Sequence, residues 1–413
     1  MLGWRRVPAA KRLVNMRILL GWELGAGLGH VNRLKVVADR LRADGAEISV
    51  ALQDLRRADI FTDAGYPVVQ GPVWKMPTDP ALRKIPTHSF ADVLKIIGLA
   101  NDQALAARID GWRGLFDLAR PDLVIGDFAP ALTLAARGRC PMISVGNGYM
   151  TPPAGRAMPP IRPWVKDRDL PATSRAAEAE LLALVNRVAA AKGVPTLNFL
   201  ADLFNGDRTF VVTASITDPY RAYREAPTLL PFNMPRGIHP RPLADRRPKG
   251  VFLYLPSGHP AVRNIVYGLR GAGLDCDAYL SDLPAASIEK LTGPGFRVHA
   301  RPVSFAKMLP EVRLVVHYAG LSTAIAAAKA GTPQLIAPWN LEHAVTARGV
   351  ADAVGARLIA DDASTAVVGK TARAMIDDDR LAARALAGAD MFPDHDPAPT
   401  LDRIAAACKE LAG

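Results

Sequence analysis

The sequence predicts an α/β protein made of two doubly wound, Rossmann-like domains facing across a cleft. Short apolar runs alternate with helix-compatible stretches along the chain, the pattern of βαβ units on a parallel sheet. That alternation stops and restarts around a Pro-rich basic stretch, and the 413 residues exceed the roughly 250–300 at which a single core stops growing. Each half also places a small-residue turn between a strand and a helix: Gly25-Ala26-Gly27-Leu28-Gly29-His30 in the first, Ala319-Gly320-Leu321-Ser322-Thr323 in the second.

Residues 1–15 carry Arg5, Arg6, Lys11 and Arg12 with no acid and lack the apolar core of a signal peptide, so they read as a disordered basic extension. The first domain is expected over 16–232. Its strands read as 17–21, 47–52, 67–70, 123–126, 142–145 and 209–213. A helix follows the first turn over 31–43. Residues 90–119 read as one long helix despite Gly111, residues 174–191 as an Ala/Leu/Glu helix, and the Pro-rich 151–171 as a surface loop. Residues 233–249, with Pro235, Pro240, Pro242 and Pro248, read as an interdomain linker. The second domain is expected over 250–395, with strands at 251–255, 276–280, 297–299, 314–317, 334–337 and 357–359. Residues 396–413 hold an amphipathic helix expected to pack back on the first domain.

The net charge of +11 suits an anionic ligand, and also allows peripheral contact with an anionic membrane. Much of it sits in the first fifteen residues and in Arg236, Arg241, Arg246, Arg247 and Lys249, against Asp245 alone. That is not the patterned face a nucleic acid needs, and no such partner is expected. No apolar run reaches the about 18 residues that span a bilayer. Cys140, Cys276 and Cys408 are widely separated and form no metal or redox motif, which points to a reducing cytoplasm. Asp275-Cys276-Asp277 and Asp394-His395-Asp396 imitate a metal-binding D-x-D, but the first opens an apolar strand and the second precedes prolines. No metal is expected.

Gly320 to Thr323 fall at a helix N-terminus, where unpaired N–H groups and the helix dipole attract phosphate; an ordinary Ser/Thr-capped turn reads the same way. Glu342-His343 lie just past a strand's carboxyl end, where open α/β sheets bind ligands. His30, past the first strand, suits a general base, and Asp127, ending another strand, suits its orienting carboxylate. Taken alone, such a histidine is more often a helix cap or a satisfied surface residue, and such an aspartate commonly caps a loop. Gly25-x-Gly27-x-Gly29 is not G-x-G-x-x-G, which weakens a dinucleotide reading, although Asp54 past the second strand leaves an NAD-dependent oxidoreductase open.

The first loop and helix, the strand Pro121-Asp122-Leu123-Val124-Ile125-Gly126-Asp127, the Arg162-Pro163-Trp164 loop and the stretch from His317 to His343 together resemble a bacterial glycosyltransferase of the GT-B fold. The group is that of the UDP-glycosyltransferases and the antibiotic or macrolide glycosyltransferases, and the resemblance runs from Met16 over nearly the whole chain. The family's G-H-V matches Gly29-His30-Val31 and implies His30 as the base that deprotonates an acceptor hydroxyl, with Asp127 as its partner. The family's H-x-G-x-G-[ST] and G-x-P, anchored on Gly331-Thr332-Pro333, put Tyr318 where the diphosphate-contacting histidine belongs, with His317 one residue earlier; either His317 takes over that contact through a one-residue shift or the backbone N–H groups suffice. Gly320, Leu321, Ser322 and Thr323 then complete a diphosphate site with Ser257 and Gly258 from the loop after the first strand of that domain. The family's D-Q or E-Q pair falls on Glu342-His343 and implies contacts to the donor sugar. The function implied is inverting, metal-independent hexosyl transfer from a UDP- or dTDP-sugar to a hydroxyl of a small-molecule or lipid acceptor, with no cofactor beyond the nucleotide sugar. A non-catalytic nucleotide-sugar or glycolipid binder, and a nucleotide-sugar epimerase, are the alternatives.

Overall fold

A computed structural model describes residues 13–25, 28–232, 236–394 and 396–412. The chain divides into two compact units: residues up to 213 with 219–233 and 397–413, and residues 214–218 with 234–396.

The first unit is built on β1 (Arg17–Trp22), β2 (Glu47–Leu52), β3 (Val68–Gln70), β4 (Leu123–Asp127), β5 (Met142–Gly146) and β6 (Arg208–Val211). They form one parallel sheet in the order β3-β2-β1-β4-β5-β6. Helices cover both faces of such a sheet, so its central strands are apolar throughout rather than alternating; Ile18, Leu19, Leu20, Leu123, Val124 and Ile125 are all buried. The Leu28–Ala43 helix buries Val31, Leu34, Val37, Ala38 and Leu41, a helical stripe worth about 1.5–3 kcal/mol for each large side chain. Leu401, Ile404, Ala405 and Cys408 of the Ala398–Leu411 helix enter the same core. Ion pairs from Arg40 to Asp402 (2.9 Å) and from Lys409 to Asp44 (3.4 Å) edge that contact.

The second unit repeats the topology. β7 (Gly250–Pro256), β8 (Asp275–Ser281), β9 (Phe296–Val298), β10 (Leu314–His317), β11 (Gln334–Ile336) and β12 (Ala356–Leu358) form a parallel sheet in the order β12-β11-β10-β7-β8-β9. In each sheet the chain first steps outward from one central strand, then restarts on that strand's other side. The switch therefore lies between β1 and β4 in one unit and between β7 and β10 in the other, and ligands of open α/β sheets bind at the carboxyl ends there.

Several expectations need correction. The stretch 90–119 is two helices, Phe90–Ile96 and Asp102–Ala119: Gly98 takes a left-handed φ of +87°, and Asn101 restarts the helix by accepting the Ala104 N–H at 2.9 Å. Leu13 is fully buried in the first core and the Asn15 N–H donates to the Gly45 carbonyl, so the tail is ordered by residue 13; residues 1–12 lie outside the described residues. The stretch 151–171 is not a surface loop throughout. Met158 and Ile161 are buried, and the Met158 N–H donates to Glu178 at 2.7 Å. The expected linker is also packed: Ile238 and Arg246 are buried, and the Arg246 guanidinium donates to the Val312 and Ala330 carbonyls and to the Thr332 hydroxyl. Residues 214–218 belong to the second unit, where the Leu341–Val354 helix comes so close that a Cβ at Gly349 would stand 2.1 Å from the Ile216 carbonyl oxygen.

Candidate active site

In the first unit, β1 and β4 pair in register so that Trp22 lies beside Asp127. His30 occupies the first turn of the helix that follows β1. Its ring is 4% exposed and stacked between Trp22 (5.6 Å between centroids) and Phe128 (6.2 Å). Nδ1 lies 2.9 Å from Oδ1 of the fully buried Asp127. Arg33, one turn further along the helix, donates to Oδ2 at 2.5 Å. Burial works to raise the Asp127 carboxyl, but Arg33 and His30 outweigh it and hold the group below its ordinary value. An ionised carboxylate accepts from Nδ1–H, and this places the lone pair of the neutral imidazole on Nε2.

Nε2 is left uncovered by Gly25. A Cβ at that position would stand 2.3 Å from Nε2, and the backbone there has φ +84°, a conformation that glycine adopts without strain. Ala26 and Gly27 of this loop lie outside the described residues. On the other side, Phe128 is held at φ +49°, an outlier for a bulky residue and a form of strain that gathers at functional sites. Its carbonyl accepts the Leu24 N–H at 3.1 Å, which ties the ends of β1 and β4 together.

In the second unit the Leu321–Lys329 helix starts behind Gly320 without a side-chain cap, so its first N–H groups remain available to an anion. Ala319, buried at φ +67°, makes the turn. His317 and Tyr318 diverge. The His317 ring is fully buried; Nε2–H donates to Gln334 at 2.8 Å and Nδ1 accepts the Ala319 N–H at 3.0 Å. Burial, only partly opposed by Gln334, lowers its pKa to about 4, so this imidazole is neutral with both nitrogens spent. It is not presented to a diphosphate, contrary to the expectation for His317.

Tyr318 instead stays half-buried and stacks over Tyr254 at 6.5 Å. Its hydroxyl lies above the helix start, 3.1 Å from where a Gly320 Cβ would be. Burial, with Tyr254 and Glu342 nearby, pushes that hydroxyl up to about 12, leaving a neutral donor. His343 meets Tyr318 edge-on at 4.8 Å. It lies with Glu342 in the first turn of the Leu341–Val354 helix, which Asn340 caps by accepting the His343 N–H at 2.9 Å. The His343 Nδ1 is buried without a hydrogen-bond partner among the described residues, and burial, with His259 and His317 near, lowers its pKa to about 4. Ser257 follows β7 with its N–H spent on the Ser281 carbonyl, so its hydroxyl alone is left for a ligand; Gly258 is exposed.

The expected residues of each unit thus lie at or beside its switch point, His317 among them but with both ring nitrogens spent on the protein. Sequence reasoning missed Arg33, which the three-residue spacing from His30 puts on the same helix face, and Phe128, whose backbone leaves no signal in composition. It also missed His259, a buried residue that donates from Nε2 to the Ala337 carbonyl. The D-x-D reading at Asp277 is closed by ion pairs with His299 and Arg247, both at 2.7 Å. Asp394 pairs with Lys329, and His395 lies outside the described residues. No described helix is long and apolar enough to cross a membrane.

No protein-family model matches the sequence, and no curated protein matches it. Solved structures do match the fold. The calicheamicin glycosyltransferase CalG4 aligns with a TM-score of 0.67 at 18% identity, over 97% of this chain and 100% of that one. The glycosyltransferase VinC in complex with dTDP gives 0.63 at 19% identity, over 95% and 100%. The spinosyn rhamnosyltransferase SpnG complexed with thymidine diphosphate gives 0.62 at 17% identity, over 94% and 100%.

Proposed function

We propose that this chain, which shares the two-sheet fold of the GT-B glycosyltransferases, is itself an inverting, metal-independent glycosyltransferase. It moves a sugar from a UDP- or dTDP-sugar to a hydroxyl of a small-molecule or lipid acceptor. The observation that carries this reading is His30, with Nδ1 on a buried, ionised Asp127 and Nε2 uncovered at the switch point.

The chemistry follows from that arrangement. Nε2 takes the proton of the acceptor hydroxyl as its oxygen forms a bond to the anomeric carbon. The bond from that carbon to the diphosphate breaks, and the electron pair leaves with the phosphate oxygen. Attack opposite the leaving group inverts the anomeric centre. Asp127, steadied by Arg33, stabilises the imidazolium that forms. The uncapped start of the Leu321–Lys329 helix, with the Ser322, Thr323 and Tyr318 hydroxyls, takes up the charge developing on the diphosphate, and Glu342 with His343 holds the sugar hydroxyls. Because Tyr318 and His343 are both neutral, a non-catalytic nucleotide-sugar binder is the reading to test against.

The thymidine diphosphate bound by VinC and SpnG puts dTDP first among the nucleotides to try. dTDP or UDP should raise the melting temperature by mass action, equally with and without a chelator, and a matching nucleotide sugar should release its diphosphate when an acceptor is present. Strict dependence on Mg²⁺ or Mn²⁺ would remove the helix N-terminus as the phosphate site. Tight nucleotide-sugar binding with no turnover on any acceptor would leave the binder.

A further inference from the structure

Arg108 has no part in the chemistry above, yet it is the least expected side chain in the first unit. It projects from the Asp102–Ala119 helix, is 8% exposed, and holds its guanidinium carbon 4.0 Å from the centre of the Trp74 ring. Its Nε and Nη1 are sealed from solvent, and neither has a hydrogen-bond acceptor among the described residues. Among the described residues the one acid that acts on it is Glu23, and both Glu23 oxygens are already taken: Oε1 by the Trp112 indole N–H, Oε2 by the Ala131 N–H at 2.8 Å. Burial, only partly offset by those hydrogen bonds and by Arg108, pushes the Glu23 carboxyl up to about 7, so near neutrality it is a weak counter-ion.

A guanidinium cannot escape this environment by losing its proton. A buried charge without a partner is a destabilising feature, and rule-breaking groups of this kind concentrate where a ligand completes them. The location agrees. Glu23 directly follows Trp22, the residue on which His30 is stacked, so Arg108 lies near the same carboxyl end of the sheet, on the face that carries Trp112 and opposite the one that carries His30. Trp74 covers one face of the guanidinium and is pinned by its own N–H to the Ile97 carbonyl at 2.6 Å. Hydrogen bonds to a guanidinium lie in its plane, so with Trp74 stacked on one face the partner that matches the fork is a planar carboxylate.

We propose that Arg108 binds a carboxylate on the acceptor, so that the acceptor is an anionic hydroxy compound whose hydroxyl reaches His30 while its acid group pairs under Trp74. This rests on the glycosyltransferase reading of the His30 site. The test compares 4-hydroxybenzoate, its methyl ester and phenyl phosphate by calorimetry on the full chain with dTDP present. The acid should bind on the order of tenfold or more tighter than the ester, the worth of one charge-assisted contact. Arg108→Gln should erase that preference while leaving ester and dTDP affinity unchanged.

Equal binding of acid and ester to the wild type, a preference that survives in Arg108→Gln, or binding of phenyl phosphate alone would each overturn the assignment. A second measurement needs no ligand. Arg108→Leu should melt at or above the wild-type temperature, because it replaces an orphaned charge with an apolar side chain; a fall of many degrees would make Arg108 structural and sink the proposal. Failure of dTDP to bind the wild type would instead strike the glycosyltransferase reading, and the acid–ester comparison run without nucleotide would still decide the role of Arg108.

Discussion

His30 and His317 each lie at the carboxyl end of a parallel sheet, beside the switch between the first and fourth strands of their unit. Both are buried, and both accept or donate through Nδ1. They differ in the second nitrogen. On His30, Nε2 faces Gly25 and has no hydrogen-bond partner among the described residues; on His317, Nε2 is spent on Gln334. They also differ in counter-charge, since Asp127 faces one ring and a neutral amide the other. A histidine with an ionised partner and one free nitrogen can exchange a proton, whereas one with two neutral partners and none free can only hold backbone in place. Position in a fold therefore does not assign the role; the partners do.

Exchanging the two roles by mutation is the sharpest way to break this contrast. His30→Ala should lower turnover per folded molecule by about 10²- to 10⁴-fold, the usual worth of a positioned base, with donor affinity little altered. Asp127→Asn should move turnover in the same direction, and the double variant should be only slightly worse than His30→Ala, because the pair acts as a unit. His317→Ala should do the reverse. It orphans Gln334 and the Ala319 N–H at about 1–3 kcal/mol each, so stability falls while turnover per folded molecule stays within a few-fold. Wild-type turnover in His30→Ala, or a large loss of turnover in a stable His317→Ala, would reverse the assignments.

A smaller effect should come from Gly25→Ala. The added methyl collides with Nε2 and occupies a left-handed backbone position, so turnover should drop roughly tenfold or more and stability by about 1 kcal/mol, while dTDP binding is unchanged. Steady-state kinetics beside calorimetry of the nucleotide would show it. An active, fully stable Gly25→Ala would mean that Nε2 is not the working nitrogen.

The last comparison concerns pH, to which the units are expected to respond in opposite senses. Burial raises the Glu23 carboxyl from 4.5 to about 7, so the first unit's contribution from this group is complete below pH 4.5 and is lost as pH rises through 7. His317 and His343 are lowered from 6.5 to about 4, so their contribution is complete above pH 6.5 and is lost as pH falls through 4. Each is worth on the order of 3 kcal/mol at most. Denaturant unfolding across pH 4 to 8 should show both limbs, with Glu23→Gln flattening only the alkaline one. An alkaline limb that persists unchanged in Glu23→Gln would remove Glu23 as its source.

The parts of this picture that were legible in the sequence are those set by local pattern. Apolar runs located the twelve described strands to within one or two residues; the central ones are buried on both faces and apolar nearly throughout, whereas the edge strands Val68–Gln70 and Ala356–Leu358 are largely exposed. His30 and Asp127 could be paired because one opens the helix after the first strand, the other ends a strand, and doubly wound topology brings those ends together. The orientation of His317 could not, since it depends on Gln334 in the next strand and on an Ala319 N–H placed by a left-handed turn. Arg108 was equally silent: a single arginine on a mixed helix looks solvated until Trp74, thirty-four positions earlier, is seen to cover it. The break after Ile96 was masked by apolar Leu99 and Ala100, whose helical character hid Gly98.

The Ala398–Leu411 helix, whose Leu401, Ile404 and Cys408 complete the first core, also sets an order in time. A ribosome makes this segment after every strand of the second unit. The second sheet can close while synthesis continues, whereas the first, begun earliest, waits with one flank of its core uncovered until the end of this stretch emerges. The nascent protein thus finishes its domains in the reverse of the order in which it starts them, and the exposed flank beside Val31 to Leu41 is where a chaperone would find it.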